Sequence, residues 1–262
     1  MPLAIPTIGK KQPFFISLFL PLFAFSEGSY AEHETIFTRI YSEAVWGTNE
    51  EGLGFSGGGS LSKNTLVYRG FLQEFIREHN IKTVIDVGCG DWEFSRYIDW
   101  SNVHYTGYDV VAPLIERDRE RYGAPNIQFI HANFLDTDLP PADLILCKHV
   151  LQHLSNADIE KFLEQLPKFT HCLLTNQVEL DTLLGDNADI PAGDCHKLNL
   201  SEPPFSVRGE TLFVYYCDGS AHQVFYIPPK KSEPLEAIPL APQKPIIESR
   251  EVYTQGDSKV DF

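Results

Sequence analysis

The chain has 262 residues, of which 43% are hydrophobic and 12% aromatic, and this is enough apolar material for one sizeable core. The composition excludes a collagen-like, disordered or disulfide-knot protein. With 21 basic and 36 acidic side chains the formal net charge is -15. Such a charge disfavours electrostatic binding of phosphate backbones over a large surface, so we expect no nucleic-acid partner. The 5 cysteines form no C-x-x-C pair, predict no zinc site, and are interpreted as mostly reduced thiols.

The start of the chain has the pattern of a secretory signal. Lys10 and Lys11 precede an apolar run over residues 14–25, and small residues stand at Ser29 and Ala31, where a signal peptidase would read them. The run is about a dozen residues long, whereas a membrane-spanning helix needs about 20, so we expect no stable membrane insertion. The sequence predicts a leader over 1–31 and export to the periplasm or medium if it is cleaved; otherwise the protein would be cytoplasmic.

The rest of the chain divides into a domain over 32–228 and a tail over 229–262. Six prolines between residues 228 and 245 remove backbone donors and fix φ where regular structure would need other values, which predicts an extended tail. The domain shows no repeat of 20 to 50 residues, so a solenoid is not indicated.

Helical and β-rich segments alternate through the domain. Helical spacing over 62–79 precedes a buried strand at 83–87, and a second helix is predicted to begin at Ser155, where residues 155–158 resemble a capping box. Further β-rich runs, with room between them for crossover helices, lie at 104–109, 127–132, 143–147 and 172–176. This alternation predicts an α/β fold with a parallel sheet covered on both faces.

The last β-rich part of the domain predicts a different arrangement. Runs at 211–217 and 223–227 are divided by Asp218-Gly219-Ser220, which is typical of a hairpin turn. The sheet should therefore end in an antiparallel pair.

The first strand leads into a glycine turn, Asp86-Val87-Gly88-Cys89-Gly90-Asp91-Trp92, with a helix predicted at 92–98. Glycines at such a turn let a ligand approach the backbone, although many α/β proteins need them for geometry alone. Asp109 ends the second strand, 19 residues after Gly90, and could accept hydrogen bonds from ribose hydroxyls. Nicotinamide adenine dinucleotide (NAD) remains the alternative cofactor, but Glu93 stands where its motif requires a third glycine.

Segment 84–91 resembles the first motif of class I S-adenosylmethionine-dependent methyltransferases, and Asp109 matches their ribose-binding acid. Residues 129–134 are similar to the adenine-reading loop of that family, and residues 143–154 to its fourth strand and following helix. The resemblance covers about residues 83–228. It implies a Rossmann-like, mostly parallel seven-stranded sheet with helices on both faces and a C-terminal antiparallel hairpin.

The resemblance also implies a cofactor, S-adenosyl-L-methionine, and residues that bind it. Asp86, Gly88 and Gly90 would surround its methionine portion, and Asp109 would bind the ribose. Asn133 stands where many relatives have an acid for the adenine amino group, and its amide oxygen can still accept a hydrogen bond. Phe134 would pack on the adenine face or belong to the core.

Methyl transfer from a sulfonium is a direct displacement, so the protein has to align the two reactants and accept a proton where one is lost. We expect His149, near the end of the fourth strand, to be the general base, and His196, in the polar loop 187–196, is the second candidate catalytic residue. His153 lies four residues after His149 and could share a helix face with it, but no third metal ligand is evident and no metal is predicted.

Other segments could border the cleft. Asn176 and Glu179 follow the fifth strand and either contact an acceptor or cap a loop. Tyr41, Trp46 and the glycine-rich segment 52–60 would form either a lid or a disordered linker.

Three functions follow, in order of preference. The first is an S-adenosylmethionine-dependent methyltransferase whose acceptor is a small or medium-sized molecule rather than a protein. The second is an NAD-dependent oxidoreductase. The third is an exported cofactor-binding protein without transferase activity, which the leader suggests because the methyl donor is made in the cytoplasm.

Overall fold

The computed structural model describes residues 28–229, with side chains from residue 31 onward. The chain divides into two units, residues 1–228 and 229–262, and the fold below is that of the first unit. The predicted tail lies outside the described residues except for Pro229, and the predicted leader lies outside them up to residue 27. The expected cleavage point after Ala31 falls within the first helix.

Residues 28–229 contain four α-helices and seven β-strands. The helices are α1 (Gly28–Ser42), α2 (Leu66–Glu78), α3 (Ala112–Tyr122) and α4 (Asn156–Leu163). The strands are β1 (Thr83–Val87), β2 (His104–Asp109), β3 (Ile127–His131), β4 (Ala142–Lys148), β5 (Phe169–Val178), β6 (Glu210–Cys217) and β7 (Ser220–Ile227).

The strands form one sheet in the order β3-β2-β1-β4-β5-β7-β6. Strands β1 to β5 run parallel, and β7 is inserted antiparallel between β5 and β6. Asp218 and Gly219 both have positive φ, 50° and 76°, as the tight turn of a two-residue hairpin requires. The expected Rossmann-like sheet and its terminal antiparallel hairpin are confirmed.

Alternation along the central strands divides the core between the two faces of the sheet. One face of β4 carries Leu144 and Leu146, which pack in a cluster with α2 and with Ile115 of α3. The other face carries Ile145 and Cys147, which pack in a second cluster with α4. Helices thus cover both faces, as expected, and all the strands of the parallel part end on one common edge.

The ends of two helices follow local sequence signals. Ser155 caps α4: its Oγ accepts from the backbone N–H of Asp158 at 3.2 Å and donates to the Asp158 carboxylate at 2.7 Å. Asn80, with φ of 50°, follows the end of α2.

The helix predicted at 92–98 is wrong. Trp92 has φ of 53°, a left-handed conformation that an α-helix cannot contain, and only a short 3-10 turn forms at Ser95–Tyr97. The indole of Trp92 is 4% exposed, so its burial in the core outweighs the local preference for a helix.

None of the helices in residues 28–229 combines the length and apolarity needed to cross a bilayer. All five cysteines lie within these residues as free thiols, four of them buried and Cys195 exposed. No group of three or more His, Cys, Asp or Glu side chains in the same part of the chain is arranged to hold a metal ion.

Candidate active site

A cavity of about 340 Å³ lies above the edge where the parallel strands end. The sheet order places β2 on one side of β1 and β4 on the other, so the cavity spans the glycine turn between them. We call the part lined by Asp109, Asn133 and Phe134 the β2 end. The part lined by Lys148, His149 and His222 is the β4 end.

Asp109 closes β2 and its carboxylate faces two backbone donors. Oδ2 accepts from the N–H of Gly90 at 3.0 Å, and Oδ1 accepts from the N–H of Val111 at 2.9 Å. The side chain is 8% exposed and lines the cavity. Burial raises the pKa of Asp109, and the two backbone hydrogen bonds partly offset that rise. Each oxygen keeps a lone pair for a further donor, such as a sugar hydroxyl.

The glycine turn lies beside Asp109 and leaves no room for side chains. Gly88 has φ of 67°, and an added Cβ would lie 2.4 Å from Cγ2 of Val150. Gly90 has φ of 57°, and its added Cβ would lie 2.3 Å from Oγ of Ser56. Gly88 lines the cavity, whereas Gly90 reaches it through its hydrogen bond to Asp109. The turn therefore requires glycine at both positions for conformation and for space.

Asp86 is outside the cavity lining. It is 2% exposed, below the glycine turn, and its Oδ2 accepts from the hydroxyl of Tyr105 at 2.6 Å. Burial raises its pKa to about 7, against the lowering effects of the Tyr105 hydrogen bond and of the Lys148 charge. The structure does not place this carboxylate against the cavity directly.

Asn133 and Phe134 line the β2 end, and Phe134 also packs in the core cluster with α4, where it is 7% exposed. The Asn133 amide is held by the protein: Oδ1 accepts from the N–H of Leu135 at 3.0 Å, and Nδ2 lies 3.1 Å from Nδ1 of His33. Nδ2 also donates to Asp136 at 3.2 Å. Oδ1 has one lone pair left, which fits the expected role of accepting from an adenine amino group.

The segment before α2 covers the cavity through ordered contacts. The Ser56 hydroxyl donates to the Asp91 carboxylate at 2.7 Å and lies 2.8 Å from the Tyr41 hydroxyl. The N–H of Asp91 donates to Ser56 Oγ at 3.1 Å. Trp46 packs on the His153 ring with 5.0 Å between centroids. Of the two alternatives, a lid or a disordered linker, these contacts match a cover over the site.

Lys148 ends β4 at the opposite end of the cavity, and it is 7% exposed. Its Nζ donates to the carbonyl oxygen of Gly59 at 2.9 Å and lies 3.2 Å from Nδ1 of His149. The ammonium also lies 5.0 Å from the ring centroid of Phe94. Burial lowers the pKa of Lys148 to about 8.

His149 lines the cavity, but its surroundings do not favour a charged imidazole. Burial lowers the pKa of His149 well below its ordinary value, and the charge of Lys148 adds to that effect. The ring lies 4.4 Å from the ring of His222, whose pKa is lowered to about 4 by burial. With Lys148 facing Nδ1, the His149 proton belongs on Nε2, a buried atom with no partner among the described residues.

The structure does not bring His196 or its loop into the cavity. Residues 187–196 are absent from the lining, and His196 is 5% exposed with Nδ1 at 2.6 Å from the carbonyl oxygen of Ala188. Its N–H donates to the carbonyl of Gln152 at 3.1 Å, so it fastens the loop to the turn after β4. His149 and His153 share no helix, because His149 has φ of 58° and a 3-10 turn follows at Leu151–His153.

The two polar residues expected beyond the fifth strand also have other positions. Strand β5 extends to Val178, so Asn176 lies within it, 3% exposed and outside the cavity lining. Glu179 is exposed and pairs with Lys197. Neither residue contacts the cavity.

Residues 84–171, about a third of the chain, match the family model described as a methyltransferase domain. Over this segment the chain thus resembles class I S-adenosylmethionine-dependent methyltransferases. Among curated proteins it is similar to "Uncharacterized methyltransferase Mb0092" of Mycobacterium bovis, 29% identical over 75 residues. The match covers 28% of this chain and 38% of that relative, and a Mycobacterium tuberculosis protein of the same description matches to the same extent.

Solved methyltransferase structures are also similar to the chain. The N-methyltransferase NodS from Bradyrhizobium japonicum, in complex with S-adenosyl-L-homocysteine, has a TM-score of 0.49 and 14% identity over 64% of this chain and 89% of that chain. The N-terminal domain of EvdMO1, in the presence of S-adenosylhomocysteine and D-fucose, has a TM-score of 0.46 and 14% identity, covering 62% and 83% of the two chains.

Two residues of this site carried no assigned role from the sequence. Lys148 ends an apolar strand, and a lysine directly after four buried residues is a local signal of a cation near the sheet edge. His33 lies 100 positions before its partner Asn133, and no local pattern could reveal that contact.

Proposed function

We propose that the protein transfers a methyl group from S-adenosyl-L-methionine to a small or medium-sized acceptor by direct displacement. The observation that carries this proposal is the carboxylate of Asp109, which lines the cavity and is fixed by the N–H groups of Gly90 and Val111. The family match supports the same reaction class.

The described residues fit such a cofactor. Gly88 lines the cavity without a side chain, so its backbone would be open to the methionine portion, and the positive φ of Gly90 would keep the turn in that conformation. Asp109 would accept from the ribose hydroxyls, and Asn133 with Phe134 would hold the adenine. The bound cofactor supplies a sulfonium methyl group with a sulfide leaving group.

The chain's own contribution is alignment and exclusion of water. Holding donor and acceptor in line is worth up to about 7–11 kcal/mol in well-oriented reactions. The cover formed by Tyr41, Trp46 and Ser56–Ser60 lies over the same cavity, which supports a closed site during transfer.

Calorimetric titration of the full chain tests the proposal. S-adenosylhomocysteine should bind with one site, and NAD should give no binding heat, because Asp91, Glu93 and Asp109 line the part of the cavity where a pyrophosphate would lie. Folded protein that fails to bind S-adenosylhomocysteine, or that binds NAD tightly, would reject it. Release of S-adenosylhomocysteine from the methyl donor on addition of cell extract would then identify a fraction that contains the acceptor.

A further inference from the structure

The β4 end of the cavity contains a buried cation that the proposed cofactor contacts do not use. Two neutral groups, the carbonyl of Gly59 and Nδ1 of His149, face the ammonium of Lys148. An ammonium has three N–H donors, so one is left without an acceptor. Among residues 28–229, Lys148 forms no ion pair with a carboxylate.

The neighbouring groups compensate this charge only in part. The rings of Phe94 and Tyr68 lie 5.0 and 5.7 Å from Nζ, where their faces attract a cation weakly. The charge of Asp86 acts on Lys148 at longer range, since that carboxylate is bonded to Tyr105. Asp218 lines the same end but is exposed at the rim.

A buried charge without a close partner is costly, and a ligand of opposite charge removes much of that cost. The imidazoles of His149 and His222 add no positive charge at neutral pH, because burial lowers the pKa of both rings. The third donor of Lys148 is therefore the strongest electrostatic feature available to an acceptor at the β4 end.

We propose that the methyl acceptor carries an acidic oxygen, as in a phenol or a carboxylic acid, and that Lys148 binds this oxygen as an oxyanion at the β4 end of the cavity. The proposal rests on the methyltransferase function and names its substrate class. An amine acceptor, which is a cation before it reacts, would be repelled by the same ammonium. His149 is then a positioning residue that holds Nζ through Nδ1.

The chemistry balances without a further reactant. The acceptor binds as an oxyanion that has already lost its proton to water, because Lys148, with a pKa of about 8, is charged at neutral pH and can donate to the oxyanion but cannot take its proton. The oxyanion forms a bond to the methyl carbon, the carbon–sulfur bond breaks, and its electron pair stays on sulfur. The products are a methyl ether or ester and S-adenosylhomocysteine, and Lys148 stays protonated throughout.

Charge selectivity of small aromatic probes tests the proposal on the full chain saturated with S-adenosylhomocysteine. Ligand-observed NMR titrations would use benzoate and 4-nitrophenolate as oxyanions and benzylamine as a cation of similar size. We expect both oxyanions to bind the wild-type protein at least tenfold more tightly than benzylamine. Lys148→Met should weaken oxyanion binding at least tenfold, and Lys148→Arg should retain most of it.

Lys168→Met is the matched control, because Lys168 lies directly before the start of β5 and pairs with Asp138 outside the cavity. It should leave every affinity unchanged. The proposal is overturned if neither oxyanion binds, if benzylamine binds as tightly, or if Lys148→Met keeps the oxyanion preference. Should the Met variant not fold, Lys148→Gln and the selectivity of the wild-type protein decide the question. Failure of the methyltransferase function itself would appear earlier, as folded protein that does not bind S-adenosylhomocysteine.

Discussion

Replacing Asp109 by Asn changes one atom group at the residue on which the cofactor proposal depends. The two carboxylate oxygens each accept one backbone N–H, at 3.0 Å from Gly90 and at 2.9 Å from Val111. Asn has one oxygen, so its NH2 group must face one of those donors. The substitution therefore leaves one buried backbone N–H unpaired and removes a charged acceptor for a ribose hydroxyl.

The size of the effect follows from these two losses. A charge-assisted hydrogen bond contributes about 1.5–3 kcal/mol, and an unpaired buried donor costs about 1–3 kcal/mol. Part of the second cost falls on the unbound protein as well. We expect S-adenosylhomocysteine to bind Asp109→Asn about 30- to 1000-fold more weakly, or about 2–4 kcal/mol.

The stability of the unbound protein should change less than the binding affinity. Burial raises the pKa of Asp109, so removing the charge relieves a desolvation cost that offsets the unpaired N–H. Calorimetry would measure binding and urea unfolding would measure stability, with Asp138→Asn, 95% exposed at its side chain, as the control. Binding within threefold of wild type would refute the role of Asp109, and so would a loss of binding that matches an equal loss of folding.

Three further substitutions test other parts of the site. For Asp86 the folded-state pKa of about 7 lies above the ordinary value of 3.8, so the buried side chain costs no stability below pH 4, where it is a neutral carboxylic acid, and stability is lost as the pH rises to 7. Asp86→Asn should therefore stabilise the protein at pH 8 relative to pH 4, by roughly 2–4 kcal/mol at most in urea unfolding; a pH-independent difference would contradict this. Ser56→Ala removes the hydroxyl that links the cover to Asp91 in the glycine turn, and it should destabilise the cover by about 1–3 kcal/mol. Limited proteolysis should then cleave within residues 52–60 faster than in the wild type, and an unchanged cleavage rate would contradict this. Gly88→Ala should abolish cofactor binding, because its Cβ would lie 2.4 Å from Cγ2 of Val150 in the cavity lining. Gly70→Ala in α2 is the control: its Cβ meets nothing within 4 Å, so it should leave binding intact and stabilise the helix by about 0.5–1 kcal/mol. Equal binding by both variants would contradict the role of Gly88.

Features set by short stretches of chain were predictable from the sequence. The buried run at β1, the glycine turn and the acid at the end of β2 all lie within local patterns, and parallel pairing brings the ends of β1 and β2 together. The antiparallel hairpin is likewise specified by Asp218 and Gly219, whose positive φ values suit the turn.

Features set by tertiary contacts were not predictable in the same way. The sequence after Gly90 predicts a helix at 92–98, but burial of the Trp92 indole holds the Trp92 backbone at φ of 53°, and this conformation prevents the helix. The polar loop over residues 187–196 has the composition of a loop that contacts an acceptor, yet the His196 ring hydrogen-bonds the backbone carbonyl of Ala188 in the same loop. His33 joins Asn133 across 100 residues, a contact that depends on where α1 packs.

Charge is distributed unequally between the two ends of the cavity, and this bears on both cofactor and acceptor. Asp91, Glu93 and Asp109 line the part next to the glycine turn, whereas the β4 end has buried Lys148, with Asp218 exposed at its rim. A negative field beside the turn favours a sulfonium cation and opposes the pyrophosphate of a dinucleotide. The ammonium of Lys148 favours the opposite sign of charge in the acceptor. Transfer between such partners removes both charges, because a sulfonium becomes a sulfide and an oxyanion becomes an ether or ester. If the proposed reaction holds, we expect the products to bind less strongly at each end than the reactants and to be released after each turnover.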